Sequence, residues 1–226
     1  MEKYLLLLKN YKSSIAFNPW NESDVLHDIG EQAPLIREEN LKKYLEQREN
    51  AQYLLIAEGL SYQGGHFTGI AMTSERQLLN DIDGKIFKGQ KQRTSDKGKL
   101  LNKGLATLSE KGFTENTGTI VWNTLSDLTD SFNWINWNAF PFHPFKENNY
   151  LSNRTPVEKE VKEAEFFLDE FLKTFGQGKK IIAIGNYSEL VLNRLKKDFI
   201  KVRHPANGGA TKFRNQVCEY MNLCKK

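Results

Sequence analysis

Three polar side chains stand at the ends of apolar runs, where a folded sheet would present them on one rim. Glu58 follows the apolar run at residues 54–57, Asn138 lies near the end of "FNWINWNAF", and His204 ends "DFIKVRHP". A carboxylate at the mouth of a buried strand costs desolvation free energy unless something uses it. An acid there can hold or activate a water and stabilise a cation. An amide presents a donor and an acceptor with which to read a polar edge, and a neutral imidazole can donate to an oxygen where negative charge gathers. Asn136 shares the face of Asn138 by the period of two, so residue type alone leaves both amides open.

These residues need elements to carry them. Residues 54–57 read as a first strand, 132–140 as a second ending at Pro141, 179–185 as a third, and "DFIKVRHP" as a fourth. Between the second and third strands, Val157, Val161, Ala164, Leu168, Phe171 and Phe175 recur at helical spacing. Thr155 and Glu158 predict a capping box for that helix, with Pro156 at its first position and Gly176 as its stop. "SELVLNRLKK" reads as a helix, and a closing helix carries Phe213, Val217 and Met221 on one face. Strands alternating with helices predict an α/β fold, a three-layer α/β/α sandwich around a four-stranded, mainly parallel sheet. Such sheets bind ligands at the carboxyl ends of their strands, which is where Glu58, Asn138 and His204 stand.

The chain reads as a single domain over residues 1–226. Residues 1–50 form an N-terminal helical portion, and 51–226 form an α/β core with a basic insertion at about 76–118. The apolar run "YLLLL" is too short for a signal peptide or a membrane span, which predicts a cytoplasmic location, nucleoid-associated in a bacterium. Cys218 and Cys224 lack metal-site spacing and read as thiols of a reduced compartment, so no metal and no cofactor are expected. Net charge is +4, but residues 85–104 hold seven Lys or Arg against one Asp, and residues 194–214 repeat that balance. Two clustered basic segments favour a phosphate-backbone partner over scattered surface lysines.

Three segments together resemble the uracil-DNA glycosylase superfamily. "AEGLSYQGGHFTGIAMTSE" is similar to its first motif, a strand followed by an acid or amide and a glycine-rich loop. "WNAFPFHP" resembles the polar-amide motif of one bacterial branch, and "VRHPANGGATKFRNQ" resembles the family's His-Pro motif with the loop that enters DNA. The resemblance spans roughly residues 50–220, with elements in matching order. It implies a monomeric, monofunctional DNA glycosylase that flips a damaged or modified base and hydrolyses its glycosidic bond. Uracil leads as the substrate.

Carried onto this chain, the resemblance makes His204 the donor to the departing base. It makes Asn138 the reader of the base edge, and Glu58 the group facing the sugar cation and its water. Gly64 and Gly65 would let backbone N–H groups approach a phosphate. Gly208 and Gly209 would shape the DNA-entering loop with Ala206 or Asn207 as its wedge, and Lys212 and Arg214 would clamp phosphates at the start of the last helix. Two positions depart from the pattern. Gly59 stands where the best-known uracil enzymes keep an aspartate, and Met72 stands where relatives commonly offer a phenylalanine to stack on the base. Tyr62 and Phe67 are the aromatic substitutes, each equally readable as a packing residue.

Of the other histidines, His27 reads as surface, His66 is open, and His143 reads as a loop residue near the rim. Three rivals stand beside the leading function: a glycosylase for another modified pyrimidine or purine base, for example in foreign DNA; a catalytically silent nucleic-acid-binding relative; and an unrelated α/β enzyme acting on a phosphorylated small molecule.

Overall fold

The computed structural model of the protein describes residues 1–223. Helices α1 (Glu2–Lys9) and α2 (Ala33–Glu46) flank the short strand β1 (Ala16–Phe17), and the sheet begins with β2 (Tyr53–Gly59). The short helices α3 (Gly65–Thr68), α4 (Glu75–Leu79), α5 (Lys97–Asn102) and α6 (Ala106–Lys111) lead to α7 (Asn116–Leu128), then to β3 (Trp134–Phe140) and β4 (His143–Pro144). The chain continues as α8 (Glu158–Phe175), β5 (Lys180–Ile184), α9 (Asn186–Arg194), β6 (Ile200–Val202) and α10 (Ala210–Met221).

The sheet has the strand order β3-β2-β5-β6 and is parallel throughout. Its central strands are apolar along nearly their whole length, as a sheet covered on both faces requires. Alternation along β3 divides the cover. Trp137 stacks on Phe171 of α8 at 4.2 Å, while Trp134 turns to the other face and meets Trp122 of α7 at 5.2 Å. Asn136 and Asn138 share the face of Trp134 by the alternation of the strand. Register sets Ala57 beside Asn138 and Gly59 beside Phe140, so β2 and β3 end together.

The N-terminal residues join this core. Tyr4 of α1 contacts Trp137 and Phe171, and β1 pairs with β4 in a small antiparallel sheet. Among the described residues no helix is long and apolar enough to cross a membrane. Cys218 is not a free thiol, contrary to the sequence expectation for it, and Cys224 lies outside the described residues.

Two local expectations are corrected. Helix α8 begins at Glu158 rather than at Pro156, and the predicted pair of Thr155 and Glu158 does not cap it. Glu160 does the work instead: its Oε2 accepts from the Val157 N–H at 2.7 Å, and both its oxygens accept from Arg154 at 2.6 and 2.8 Å. Thr155 is thereby left outside the helix. His27 is buried rather than on the surface, with Nδ1 2.7 Å from Asp24 Oδ2.

That aspartate is the hub of a buried network. His66 Nε2 lies 3.1 Å from the same oxygen, His66 Nδ1 lies 2.9 Å from His143 Nδ1, and His143 Nε2 lies 2.8 Å from the Ser152 carbonyl. The chain of contacts ties the helix after Gly64 to β4 and to the segment that follows it. Burial holds the His143 imidazole down to about 3, with His66 beside it acting in the same direction. Burial opposes ionisation of Asp24, yet hydrogen bonds from His27 and His66 outweigh it and hold the carboxyl below its usual range. A carboxylate with a depressed folded pKa stabilises the fold above its unfolded value of about 4, and that contribution is lost on acidification. Asp24→Asn is therefore expected to cost about 1–3 kcal/mol at neutral pH. In urea unfolding the gap between parent and variant should close as pH is lowered below about 4.

Candidate active site

The carboxyl ends of the strands open onto a cavity of about 360 Å³ whose lining includes Glu58, Ser61, Met72, Glu115, Asn138, Thr155 and His204. A second cavity, of about 340 Å³, shares Glu58 and His204 with it and reaches Ala206 and Asn207. The acid, the amide and the imidazole singled out from the sequence thus border one space. A larger cavity of about 740 Å³ lies on a neighbouring face and shares Arg154 with the site, but it holds none of those three side chains.

His204 leaves β6 two residues after its last paired position and is held by its own turn. The Ala206 N–H donates to His204 Nδ1 at 3.1 Å. An acceptor at Nδ1 puts the ring proton on Nε2, so the free nitrogen is a donor. Burial, with Arg203 adding to it, lowers the His204 pKa below its ordinary value and keeps the ring neutral at neutral pH. The turn that achieves this is tight. Asn207 has φ +52° and Gly208 φ +75°, both left-handed, and a β-carbon on Gly209 would sit 2.0 Å from the His204 carbonyl oxygen. Gly209→Ala must therefore move the histidine turn or strain it. Overpacking of this kind costs about 1–3 kcal/mol, which thermal unfolding would record as a lowered Tm.

Glu58, at the end of β2, is half-buried. Burial raises its pKa above the ordinary carboxylate value, and a hydrogen bond with Thr155 opposes the rise. Thr155 can reach it because α8 starts late. Arg154 pins this wall by donating to Glu160 and to the Phe145 and Ile15 carbonyls, while Asn153 Oδ1 accepts from the Tyr62 N–H at 3.0 Å. The glycine after Glu58 has a packing reason. A β-carbon on Gly59 would meet Pro144 at 3.3 Å, so β4 occupies the room that an acid at position 59 would need.

Asn138 is buried on the cavity wall, whereas Asn136 is fully buried away from it. With its amide turned to suit its neighbours, Asn138 accepts from the Leu60 N–H and donates to the Trp137 carbonyl, both at 3.3 Å. Met72 also lines the cavity, in a left-handed conformation with φ +50°. Such a backbone costs free energy in a non-glycine residue and persists where its surroundings enforce it. Here Trp122 Nε1 donates to the Met72 carbonyl at 3.1 Å, and Gly118 leaves α7 room to press against that carbonyl.

The aromatic candidates are placed elsewhere. Phe67 stacks on Phe113 at 5.0 Å and 3°, and Tyr62 meets the edge of Phe113 at 5.7 Å, so both pack a small satellite cluster and neither lines the cavity. Gly64 and Gly65 serve close packing: a β-carbon would lie 2.1 Å from Glu115 Oε2 at the first and 2.2 Å from Leu60 Cδ2 at the second. The Gly64 N–H donates to the Ser61 carbonyl at 3.1 Å. Lys212 and Arg214 are exposed in the first turns of α10, close in sequence to the Ala206–Gly209 loop. Sequence reasoning missed Glu115 and Thr155. Thr155 looked like a helix cap, and nothing in "FTENTG" marks its acid as part of the site. Among the described residues no group of three or more His, Cys, Asp or Glu side chains is arranged to hold a metal ion.

No family model matches the sequence, and no curated protein matches it. The fold is similar to the crystal structure of wild-type Pedobacter heparinus SMUG2, with a TM-score of 0.61 at 15% identity over 98% of this chain and 96% of that one. The two share a fold. The likeness covers nearly all of both chains. At this identity it speaks for topology, and the site rests on its own geometry.

Proposed function

We propose that the protein is a monofunctional DNA glycosylase, acting as a monomer, that draws a damaged or modified base into the cavity at the sheet's carboxyl edge and hydrolyses its N-glycosidic bond. The observation that carries this reading is the meeting of Glu58, Asn138 and a neutral, Nε2-protonated His204 around one cavity. The fold likeness to Pedobacter heparinus SMUG2 over nearly the whole chain supports it.

The chemistry follows from charge. Breaking the bond leaves negative charge on the base and positive charge on the sugar. His204 Nε2–H donates to the base oxygen where the negative charge gathers, a preorganised contact that strengthens in the transition state. Glu58, as the carboxylate, faces the sugar cation and orients the attacking water. Asn138 reads the base edge through its amide. Met72 packs against the base face, giving less than an aromatic ring would.

Ala206 and Asn207 form the small wedge into the helix, with Gly208 and Gly209 shaping that loop. Lys212 and Arg214 contact phosphates, which makes binding weaken as salt rises. Uracil is the first base to test. Gly59 against Pro144, and Met72 at the stacking position, favour a second reading in which the preferred base is another modified one.

Oligonucleotides carrying a single uracil, xanthine, hypoxanthine or 5-substituted pyrimidine, incubated with the protein and then treated with alkali, test the reading. Cleavage at the modified position is expected for at least one of them. Absence of cleavage on all of them would refute it.

A further inference from the structure

Glu115 is the one strongly perturbed acid in the cavity lining that the mechanism above leaves unused. It occupies the N-cap position of α7, yet its side chain makes no capping hydrogen bond. Its carboxyl is turned instead over Gly64, into space that exists because that residue has no side chain: Oε2 lies 2.1 Å from where a β-carbon would be. The residue is 8% exposed, and Oε2 has no hydrogen-bond partner among the described residues. A buried carboxyl oxygen left without a partner is rare and asks for one from outside the protein.

Its neighbours indicate which kind. Arg154, which also lines the cavity, is engaged by Glu160, and His66, two residues after Gly64, is engaged by Asp24. On α4, Glu75 accepts from Ser95 and Thr94, and the Arg76 guanidinium donates to the Gly112 carbonyl. Glu58 and His204 face the same cavity as an acid and a neutral donor. Among the described residues none of these groups forms an ion pair with Glu115. Burial pushes its carboxyl up to about 7, against the effect of a hydrogen bond from Ser61. A protonated carboxyl keeps one O–H donor, and Oε2 has no acceptor for it among the described residues.

We propose that Glu115, in its protonated form, donates a hydrogen bond to a carbonyl oxygen of the extruded base and so selects oxo-substituted bases over their amino-substituted parents. This rests on the glycosylase reading and adds to it a determinant of specificity on the α7 side of the cavity. While the carboxyl stays protonated, a base with an amino group at that position would bring a donor against this donor, a mismatch that buried polar sites discriminate against.

The test is single-turnover excision from duplexes carrying uracil or xanthine, for the parent, Glu115→Gln and Glu115→Ala, between about pH 5.5 and about pH 9. The parent rate should fall as pH rises through about 7, because the donor is lost on ionisation. Glutamine keeps an N–H donor and does not titrate. Its rate should lie within about tenfold of the parent at neutral pH, without the descending limb, while alanine should lose about 10- to 100-fold. An unchanged pH profile in Glu115→Gln with parental rates in Glu115→Ala would overturn the assignment and leave the glycosylase reading intact. If the parent excises neither base, the glycosylase reading fails for oxo-bases and the inference fails with it. Should the alanine variant not fold, the glutamine profile alone decides.

Discussion

His204→Ala is expected to lower the single-turnover excision rate about 100- to 1,000-fold, the loss typical of removing one preorganised donor from a developing anion. The size follows from the preparation the fold gives this side chain. Its Nδ1 is already satisfied by the Ala206 N–H, its ring is held neutral, and the backbone at Gly209 lies close against its carbonyl. A donor fixed in advance costs nothing to reorient when charge appears. Because the residue is half-buried at the rim rather than in the core, the variant should unfold close to the parent's temperature. Loss of rate without loss of stability, read from rapid-quench kinetics beside circular dichroism melting, is the expected pair of results. A parental rate would remove His204 from the mechanism.

Glu58→Gln should cost as much or more, about 100- to 10,000-fold, since the amide can neither take a proton from water nor oppose a sugar cation. The same residue sets an acidic limit. Burial raises its pKa above the ordinary value, and the working form is the carboxylate, so the rate should fall as pH drops through that raised value. Protonation of His204 below its lowered pKa acts in the same direction. With Glu115 losing its proton as pH rises through about 7, the parent profile should be bell-shaped. Glu58→Gln should retain the alkaline limb and lose the part of the acidic limb that belongs to Glu58. A pH–rate profile of the variant with both limbs unchanged, at parental rates, would contradict this role.

What could be read from the sequence, and what could not, divides along physical lines. Buried strands and amphipathic helices announce themselves by period, so β2, β3, β5, β6, α8 and α10 were legible, and with them the rim that Glu58, Asn138 and His204 share. Contacts between segments distant in the chain were not. Gly59 looks like a lost acid until Pro144 is seen packed against it, and Gly64 looks like a phosphate cradle until Glu115 is seen above it. Thr155 reads as a cap because threonine, proline and glutamate stand in capping order, but Arg154 draws Glu160 into that task. His27 and His143 gave no periodic signal of burial because their partners, Asp24, His66 and the Ser152 carbonyl, come from separate loops. Phe67 and Tyr62 read as base platforms by residue type, whereas Phe113, about fifty residues away, claims both.

The most direct measurement is mass spectrometry of both products after incubation of the parent protein with a duplex bearing one modified base. Hydrolysis by Glu58 and His204 predicts the free base in solution, together with an intact strand lighter by that base and heavier by the water that replaced it. No free base from any of the modified duplexes would contradict the account at its centre. A strand already broken before alkali would show lyase chemistry, which the proposed pair of residues does not supply.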